Sequence, residues 1–169
     1  MTEPIRDAAQ RLRALDPSGS FIVQAPAGSG KTALLIQRFL TLLGLVDQPE
    51  SIVAITFTKK AAGEMRHRVI GALQRAASEP APEEAHERRT WDLSKRALAR
   101  DQELTWQLIQ QPSRLRIQTI DSFCGSIVRQ MPWVSRMGAS PQPEDKADYL
   151  YRQAARETLD FLERETSGA

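Results

Sequence analysis

A glycine-rich run near the N-terminus has the residue types that bind phosphate groups. It reads Ala25-Pro-Ala-Gly-Ser-Gly-Lys-Thr32. Glycines let the backbone turn tightly, so that successive N–H groups converge on an anion. Lys31 would reach the β- and γ-phosphates and act with Thr32 as a catalytic residue, and the Thr32 hydroxyl would bind Mg²⁺. We therefore predict a loop that binds ATP or GTP with Mg²⁺, formed by Ala25, Pro26, Ala27, Gly28, Ser29, Gly30, Lys31 and Thr32.

The elements on either side of this run are those that the motif requires. Residues 21–25 (FIVQA) are a short apolar, β-prone run, and residues 31–44 have helical spacing. Further strands are predicted at 52–57 and 116–121, each followed by a helix, at 59–77 and 122–131. This alternation predicts a parallel α/β sheet. Only about three strands fit, so the sheet would be incomplete for a nucleotide-binding domain of this type.

The remaining segments are predicted to be mostly helical. Residues 5–15 have helical apolar spacing and end at a Pro-Ser-Gly breaker. Between residues 78 and 112 the pattern indicates two polar helices, at 83–100 and 102–110. An acidic helix is predicted at 145–165.

Composition excludes several classes of protein. The 169 residues suit one ordinary domain, and the single cysteine, Cys124, excludes an internal disulfide. No apolar run has the length of a membrane span, so we expect a soluble cytoplasmic protein with no membrane partner. The net charge is +2, but residues 59–77 carry a local charge of +4 and residues 113–137 of +3. Such segments suit an anionic polymer, although solvated helix surface has the same composition.

Hydrolysis of a nucleotide also needs an acidic residue that holds Mg²⁺ at the end of another strand. Asp121 follows the predicted strand at 116–121 and is the candidate in this chain. A small self-contained P-loop module or phosphotransferase, with Asp121 as the metal ligand and residues 78–112 as a lid, is therefore one interpretation.

Two further segments support a different interpretation. Residues 54–69 read AITFTKKAAGEMRHRV, and residues 117–124 read IQTIDSFC. Together with the P-loop, they resemble three motifs of the superfamily 1A DNA helicases, the UvrD/Rep group. The resemblance covers residues 5–77 and 115–165. It leans toward RecB/AddA-like members, because Asp121 stands where UvrD and Rep usually have His and the helical insertion at 78–112 is long.

The resemblance implies a fold, a domain organisation and a set of site residues. Residues 1–131 would form a partial RecA-like ATP-binding domain 1A, and residues 132–169 the start of the helical subdomain 1B. Gln10 would read the adenine, and Arg38 would also contact the nucleotide. Single-stranded DNA would be held at the ends of the second and third strands by Thr56, Phe57, Thr58, Lys60, Thr119, Ser122 and Phe123.

The resemblance also implies a function. The chain would be the N-terminal ATP-binding part of an ATP-dependent 3′–5′ DNA helicase or helicase–nuclease of recombinational repair. Its sequence contains no DExx box, the acidic motif that supplies the Mg²⁺ ligand and catalytic acid in this family. We therefore expect these 169 residues alone to be inactive. The remaining helicase chain, with a second RecA-like domain, and the other subunits of a helicase–nuclease complex would be its partners.

Overall fold

The computed structural model describes residues 7–131 and 147–167. The chain divides into two compact units, residues 1–125 and residues 126–169. The helices are α1 (Ala8–Ala14), α2 (Lys31–Leu43), α3 (Lys59–Ser78), α4 (Ala85–Glu103), α5 (Ile120–Gln130) and α6 (Asp148–Ser167). The strands are β1 (Val53–Thr56) and β2 (Arg116–Thr119), and short 3₁₀ turns occupy Pro49–Ser51 and Pro112–Arg114. No stretch of described helix combines the length and hydropathy of a membrane-spanning segment.

The two strands pair in parallel, so the α/β class is confirmed. Their register places Val53 beside Arg116 and Thr56 beside Thr119. The side chain of Ile117 is fully buried on one face of this small sheet, whereas Val53 and Ile55 are 38% and 51% exposed on the other. A small parallel sheet with helices is compatible with a partial helicase domain, but it has fewer strands in the described residues than the sequence predicts.

The missing strand is the one predicted at residues 21–25, and this prediction is wrong for the structure. The segment is irregular and has no strand partner among the described residues. Ile22 is fully exposed, although its apolar character suited a buried strand. A parallel strand needs hydrogen-bonded neighbours, and β1 and β2 pair with each other instead.

Helix α3 forms the centre of the first unit. Its N-terminus is capped by Thr58, whose Oγ1 accepts a hydrogen bond from the Ala61 N–H at 3.1 Å. Buried residues recur at helical spacing along its length, which lets one side face the sheet and another face α4. The helix ends just before Pro80, which cannot continue it. The buried members are Ala62, Met65, Val69, Ile70, Ala72, Leu73 and Ala76.

The predicted insertion at 78–112 is part of this core. Helix α4 packs against α2 and α3 through the buried residues Ser94 and Ala97. After α4 the chain is held by Trp106, whose indole N–H donates to the Asp47 carbonyl at 3.2 Å. Arg114 then forms a two-pronged ion pair with Glu50, with N···O distances of 2.6 and 3.2 Å.

The second helix predicted in this insertion, at 102–110, is absent, because the chain turns instead. Thr105 and Gln107 have positive φ angles of 52° and 61°, which end helical propagation. Asp101 stabilises the turn, since its carbonyl accepts from the Trp106 N–H at 3.0 Å and its carboxylate from the Leu108 N–H at 3.2 Å.

The second unit contains helix α6. Its described side chains, residues 148–161, are all exposed. The sequence-based domain boundary at residue 132 lies outside the described residues, so the assignment of residues 132–169 to a subdomain stays a prediction.

Candidate functional site

Two glycines of the loop have the left-handed backbone conformation that glycine allows. Gly28 and Gly30 have φ angles of +77° and +79°, a region that residues with side chains rarely adopt. Gly30 is also the N-cap of α2, so the loop leads directly into the positive end of a 13-residue helix. A Cβ atom placed on Gly28 would meet nothing within 4 Å, so the space beside the loop is open.

Lys31 is folded back over this loop. Its ammonium group donates hydrogen bonds to the Ala25 carbonyl at 2.6 Å and to the Pro26 carbonyl at 2.5 Å. These carbonyls satisfy the charge from inside the loop, and a phosphate group would have to replace them. Thr32 lies in the first turn of α2 and is exposed.

A cavity of about 350 Å³ lies beside the loop and is lined by four parts of the chain: α1, the segment before the loop, the loop and α2. Gln10 contributes from α1, and Ala25, Ser29 and Lys31 contribute from the loop. The segment before the loop and α2 supply apolar walls. These are Phe21, Ile22, Val23 and Leu34. The cavity therefore combines an amide side chain, apolar surface and the glycine-rich loop.

Arg11, for which the sequence predicts no role, also lines this cavity. Its guanidinium donates to the Asp7 carboxylate at 2.9 Å and to the Ser29 carbonyl at 2.6 Å. The Arg11 hydrogen bond holds the pKa of Asp7 below its ordinary value. The spacing of Asp7 and Arg11, four residues apart, is the sequence signal that could have predicted this ion pair.

Arg38, predicted to contact the nucleotide, is not among the residues that line the cavity. Its guanidinium donates to the carbonyls of Ala14, Asp16 and Gly19 at 2.7, 3.0 and 2.9 Å. It also lies 5.3 Å from the centre of the Phe21 ring. In this arrangement Arg38 ties the turn after α1 to α2.

The two segments predicted to bind DNA meet at one edge of the sheet. Because β1 and β2 are parallel and Thr56 pairs with Thr119, both strands end side by side. Most of the hydroxyl groups there have local partners. Thr56 donates to the Thr58 carbonyl at 3.0 Å, and the Thr119 and Ser122 hydroxyls are 2.9 Å apart. Thr119 is buried and its hydroxyl accepts from the Ser122 N–H, so it caps α5.

Four of the predicted DNA contacts at this edge are exposed: Phe57, Thr58, Lys60 and Ser122. The hydroxyls of Thr58 and Ser122 have local partners. The Phe57 ring is 91% exposed, so it is not a core residue. Lys60 is exposed in the first turn of α3, next to Lys59. Phe123 is half-buried in α5. An exposed aromatic ring beside two ammonium groups is an arrangement that suits a base and its phosphates.

The described residues contain no cluster of three or more His, Cys, Asp or Glu side chains that could hold a metal ion. Asp121 is exposed in the first turn of α5. The P-loop residue Thr32 therefore has no acidic cluster to complete a metal site within the part of the chain that the structure describes.

Comparison with known proteins identifies the family. The family model described as UvrD/REP helicase N-terminal domain matches residues 6–165, which is nearly the whole chain. The chain belongs to the UvrD/REP helicase family.

Relatives within the UvrD/REP family are much longer than this chain. An ATP-dependent helicase/nuclease subunit from Desulfitobacterium hafniense is 35% identical over 166 residues, which are 94% of this chain and 10% of the relative. The subunit of the same name from Alkaliphilus metalliredigens is 37% identical over 124 residues, 72% of this chain and 9% of the relative. DNA helicase II of Haemophilus influenzae is 48% identical over 69 residues, 40% of this chain and 10% of the relative. No solved structure matches the chain.

Proposed function

We propose that this chain is the N-terminal ATP-binding part of an ATP-dependent 3′–5′ DNA helicase or helicase–nuclease of recombinational repair. In this role it forms part of a RecA-like domain 1A, and residues 132–169 begin a helical subdomain 1B. The parent protein acts in the cytoplasm and moves along single-stranded DNA. The observation that carries the proposal is the cavity that joins Gln10 to the glycine loop and Lys31.

The residues of this cavity fit ATP. The loop from Ala25 to Gly30, through the N–H groups that all its residues except Pro26 carry, and the N-terminus of α2 would hold the phosphates, with Lys31 as the counter-charge. Gln10 would bind the adenine edge, because its amide offers both a donor and an acceptor. Thr32 would contribute a hydroxyl to Mg²⁺, which supplies charge neutralisation at the phosphates when it is bound.

Single-stranded DNA would bind at the carboxyl edge of the sheet. The pairing of Thr56 with Thr119 supports this, since it brings the two motif segments together. Phe57 would stack on a base, and Lys60 would contact a phosphate. Thr58, Thr119 and Ser122 would act through their neighbouring backbone groups, because their hydroxyls already have local partners. Phe123 would support this edge from α5.

Of the two forms proposed for the parent protein, we favour a subunit of a helicase–nuclease complex. The relative that aligns with 94% of this chain is named as a helicase/nuclease subunit, and such a name implies a partner protein. The alternative, a small self-contained module with residues 78–112 as a lid, has no support in the fold. That segment is packed into the core through Ala97 and Trp106, which are at most 3% exposed.

Nucleotide binding by the 169-residue chain tests the proposal. We expect weak binding of a fluorescent ATP analogue with Mg²⁺, and a loss of at least about tenfold in affinity for Lys31→Ala, because a charge-assisted phosphate contact is removed. Lys95→Ala, on the exposed side of α4, is the matched control and should bind as the wild type does. Equal affinity for the wild type and Lys31→Ala would show that the loop binds no phosphate. ATP turnover by this chain alone is expected to be negligible, and brisk DNA-stimulated turnover abolished by Lys31→Ala would contradict that.

A further inference from the structure

Arg11 connects α1 to the glycine loop through a defined pair of hydrogen bonds. Its side chain is 18% exposed, and its two donor groups face different partners. The Nε donates to Asp7 one turn earlier in the helix, and the Nη2 donates to the Ser29 carbonyl at 2.6 Å. The carboxylate thereby fixes the direction of a guanidinium that reaches eighteen positions along the sequence.

The Ser29–Gly30 peptide, whose carbonyl accepts the Arg11 hydrogen bond, has few other restraints. Ser29 lies between Gly28 and Gly30, both with positive φ, so the backbone can rotate on each side of it without a side-chain clash. The Ser29 hydroxyl is buried and has no hydrogen-bond partner, so it does not hold the peptide either. The Ser29 N–H, which belongs to the preceding Gly28–Ser29 peptide, donates to the Pro26 carbonyl at 3.4 Å, a long contact.

The orientation of this peptide matters for binding an anion. A trans peptide is planar, and its C=O and N–H point in opposite directions. With the Ser29 carbonyl turned toward Arg11, the Gly30 N–H points away from that guanidinium. If the peptide flipped, a carbonyl oxygen would take the place of an N–H in the loop and would repel a phosphate.

We propose that Arg11 is a positioning residue for the phosphate loop, which acts by holding the Ser29–Gly30 peptide in the orientation that presents the Gly30 N–H to a nucleotide phosphate. This inference rests on the proposed nucleotide-binding function. It also gives α1 two roles at one cavity, since Gln10 faces the base and the next residue orders the loop for the phosphates.

The test uses the 169-residue chain and measures the loop directly. The backbone ¹⁵N order parameter of Gly30 is measured by NMR without nucleotide. In the wild type we expect a value of about 0.85, typical of rigid backbone, and in Arg11→Met a value below about 0.6. Arg11→Lys should recover part of the order, because an ammonium group can still donate to the Ser29 carbonyl. Arg88→Met, an exposed arginine on α4, is the matched control and should not change Gly30.

Affinity for MgATP is then measured on the same proteins. We expect Arg11→Met to weaken binding by at least about tenfold, the effect of about one charge-assisted contact, and Arg11→Lys to weaken it less. An unchanged Gly30 order parameter in Arg11→Met overturns the proposal. This holds even if the affinity for MgATP falls, because Arg11 would then act by contacting the phosphates itself. A disordered Gly30 with unchanged affinity also overturns it. If the wild type binds no MgATP, the proposed function fails, and the order parameter alone still decides whether Arg11 holds the loop.

Discussion

Phe57 is the residue on which the DNA-binding proposal makes its most direct prediction. Its ring is almost fully exposed at the end of β1, so removing it should cost little stability. In Phe57→Ala we expect affinity for a single-stranded oligonucleotide to fall by about 1–3 kcal/mol, because one base loses its stacking partner. The salt dependence should stay the same, since no charge is removed.

The control for this prediction is Phe161→Ala. Phe161 is 60% exposed on α6 and has no proposed role. Fluorescence anisotropy with a labelled oligonucleotide gives both the affinity and its salt slope. If Phe57→Ala and Phe161→Ala bind equally well, base stacking does not occur at Phe57.

Arg38 is a residue for which the sequence-based role and the observed contacts differ. Lysine keeps the charge at this position but cannot reach all three carbonyls with a planar group. We expect Arg38→Lys to lower the free energy of unfolding by about 1–3 kcal/mol, because the part-buried carbonyls of Ala14 and Gly19 lose charged donors. Affinity for MgATP should stay within about threefold of the wild type, a change below about 0.7 kcal/mol.

Chemical denaturation and nucleotide titration of the same variant separate the two roles of Arg38. A nucleotide contact would give the opposite pattern, with stability retained and affinity reduced by more than about tenfold.

Among the elements, the turn after α4 stores backbone strain. Thr105 is a β-branched residue with φ of 52°, which costs such residues about 1–2 kcal/mol. Its side chain is exposed, so little packing is lost on replacement. We expect Thr105→Gly to stabilise the chain by up to about 1 kcal/mol, with part of the relief offset by the entropy of glycine.

Thermal unfolding of Thr105→Gly and Thr105→Ala tests this interpretation. Alanine keeps a Cβ atom and should relieve much less of the strain than glycine does. A destabilised Thr105→Gly would show that the positive φ angle is not strained in solution.

The ion pair between Arg114 and Glu50 joins the turn before β1 to the turn before β2. The Arg114 hydrogen bonds lower the pKa of Glu50 below its ordinary value of 4.5. A carboxylate whose pKa is lowered by folding stabilises the protein above its unfolded pKa, and this contribution is lost as the pH falls through the lower folded value. We therefore expect the stability difference between the wild type and Glu50→Gln to shrink as the pH falls below the ordinary value of 4.5.

Urea unfolding at a series of pH values measures that difference. It should be below about 1 kcal/mol at pH 7, because both side chains keep contact with water. A stability difference between the wild type and Glu50→Gln that does not change with pH would mean that Glu50 stabilises the fold through its shape and not through its charge.

At the scale of the whole molecule, the sequence predicted the elements that local patterns determine. The glycine loop, α2, α3 and the two paired strands were predicted within a few residues, because glycine spacing and hydrophobic periodicity are local signals. The strand at 21–25 was wrong because its formation depends on neighbouring strands, which no local pattern reports. The helix at 102–110 was wrong because Asp101 and two positive φ angles form a turn there.

Side-chain partners were harder to predict than elements. The sequence placed Gln10 and Lys31 at a common site, and the cavity contains both. The sequence could not show that Arg11 would donate to the Ser29 carbonyl or that Arg38 would donate to three carbonyls before the loop. Such contacts depend on the three-dimensional path of the turns that separate the partners.

The irregular segment before the glycine loop has a practical consequence for work with the isolated chain. Ile22 and Val23 offer apolar surface in a segment that pairs with no strand among the described residues, and such a segment is a template for intermolecular β-pairing. Pro26 limits the length of that template on one side. Concentrated solutions should therefore aggregate through residues 21–25. A charged residue in place of Ile22 should keep the protein in solution, although it also changes the apolar wall of the cavity.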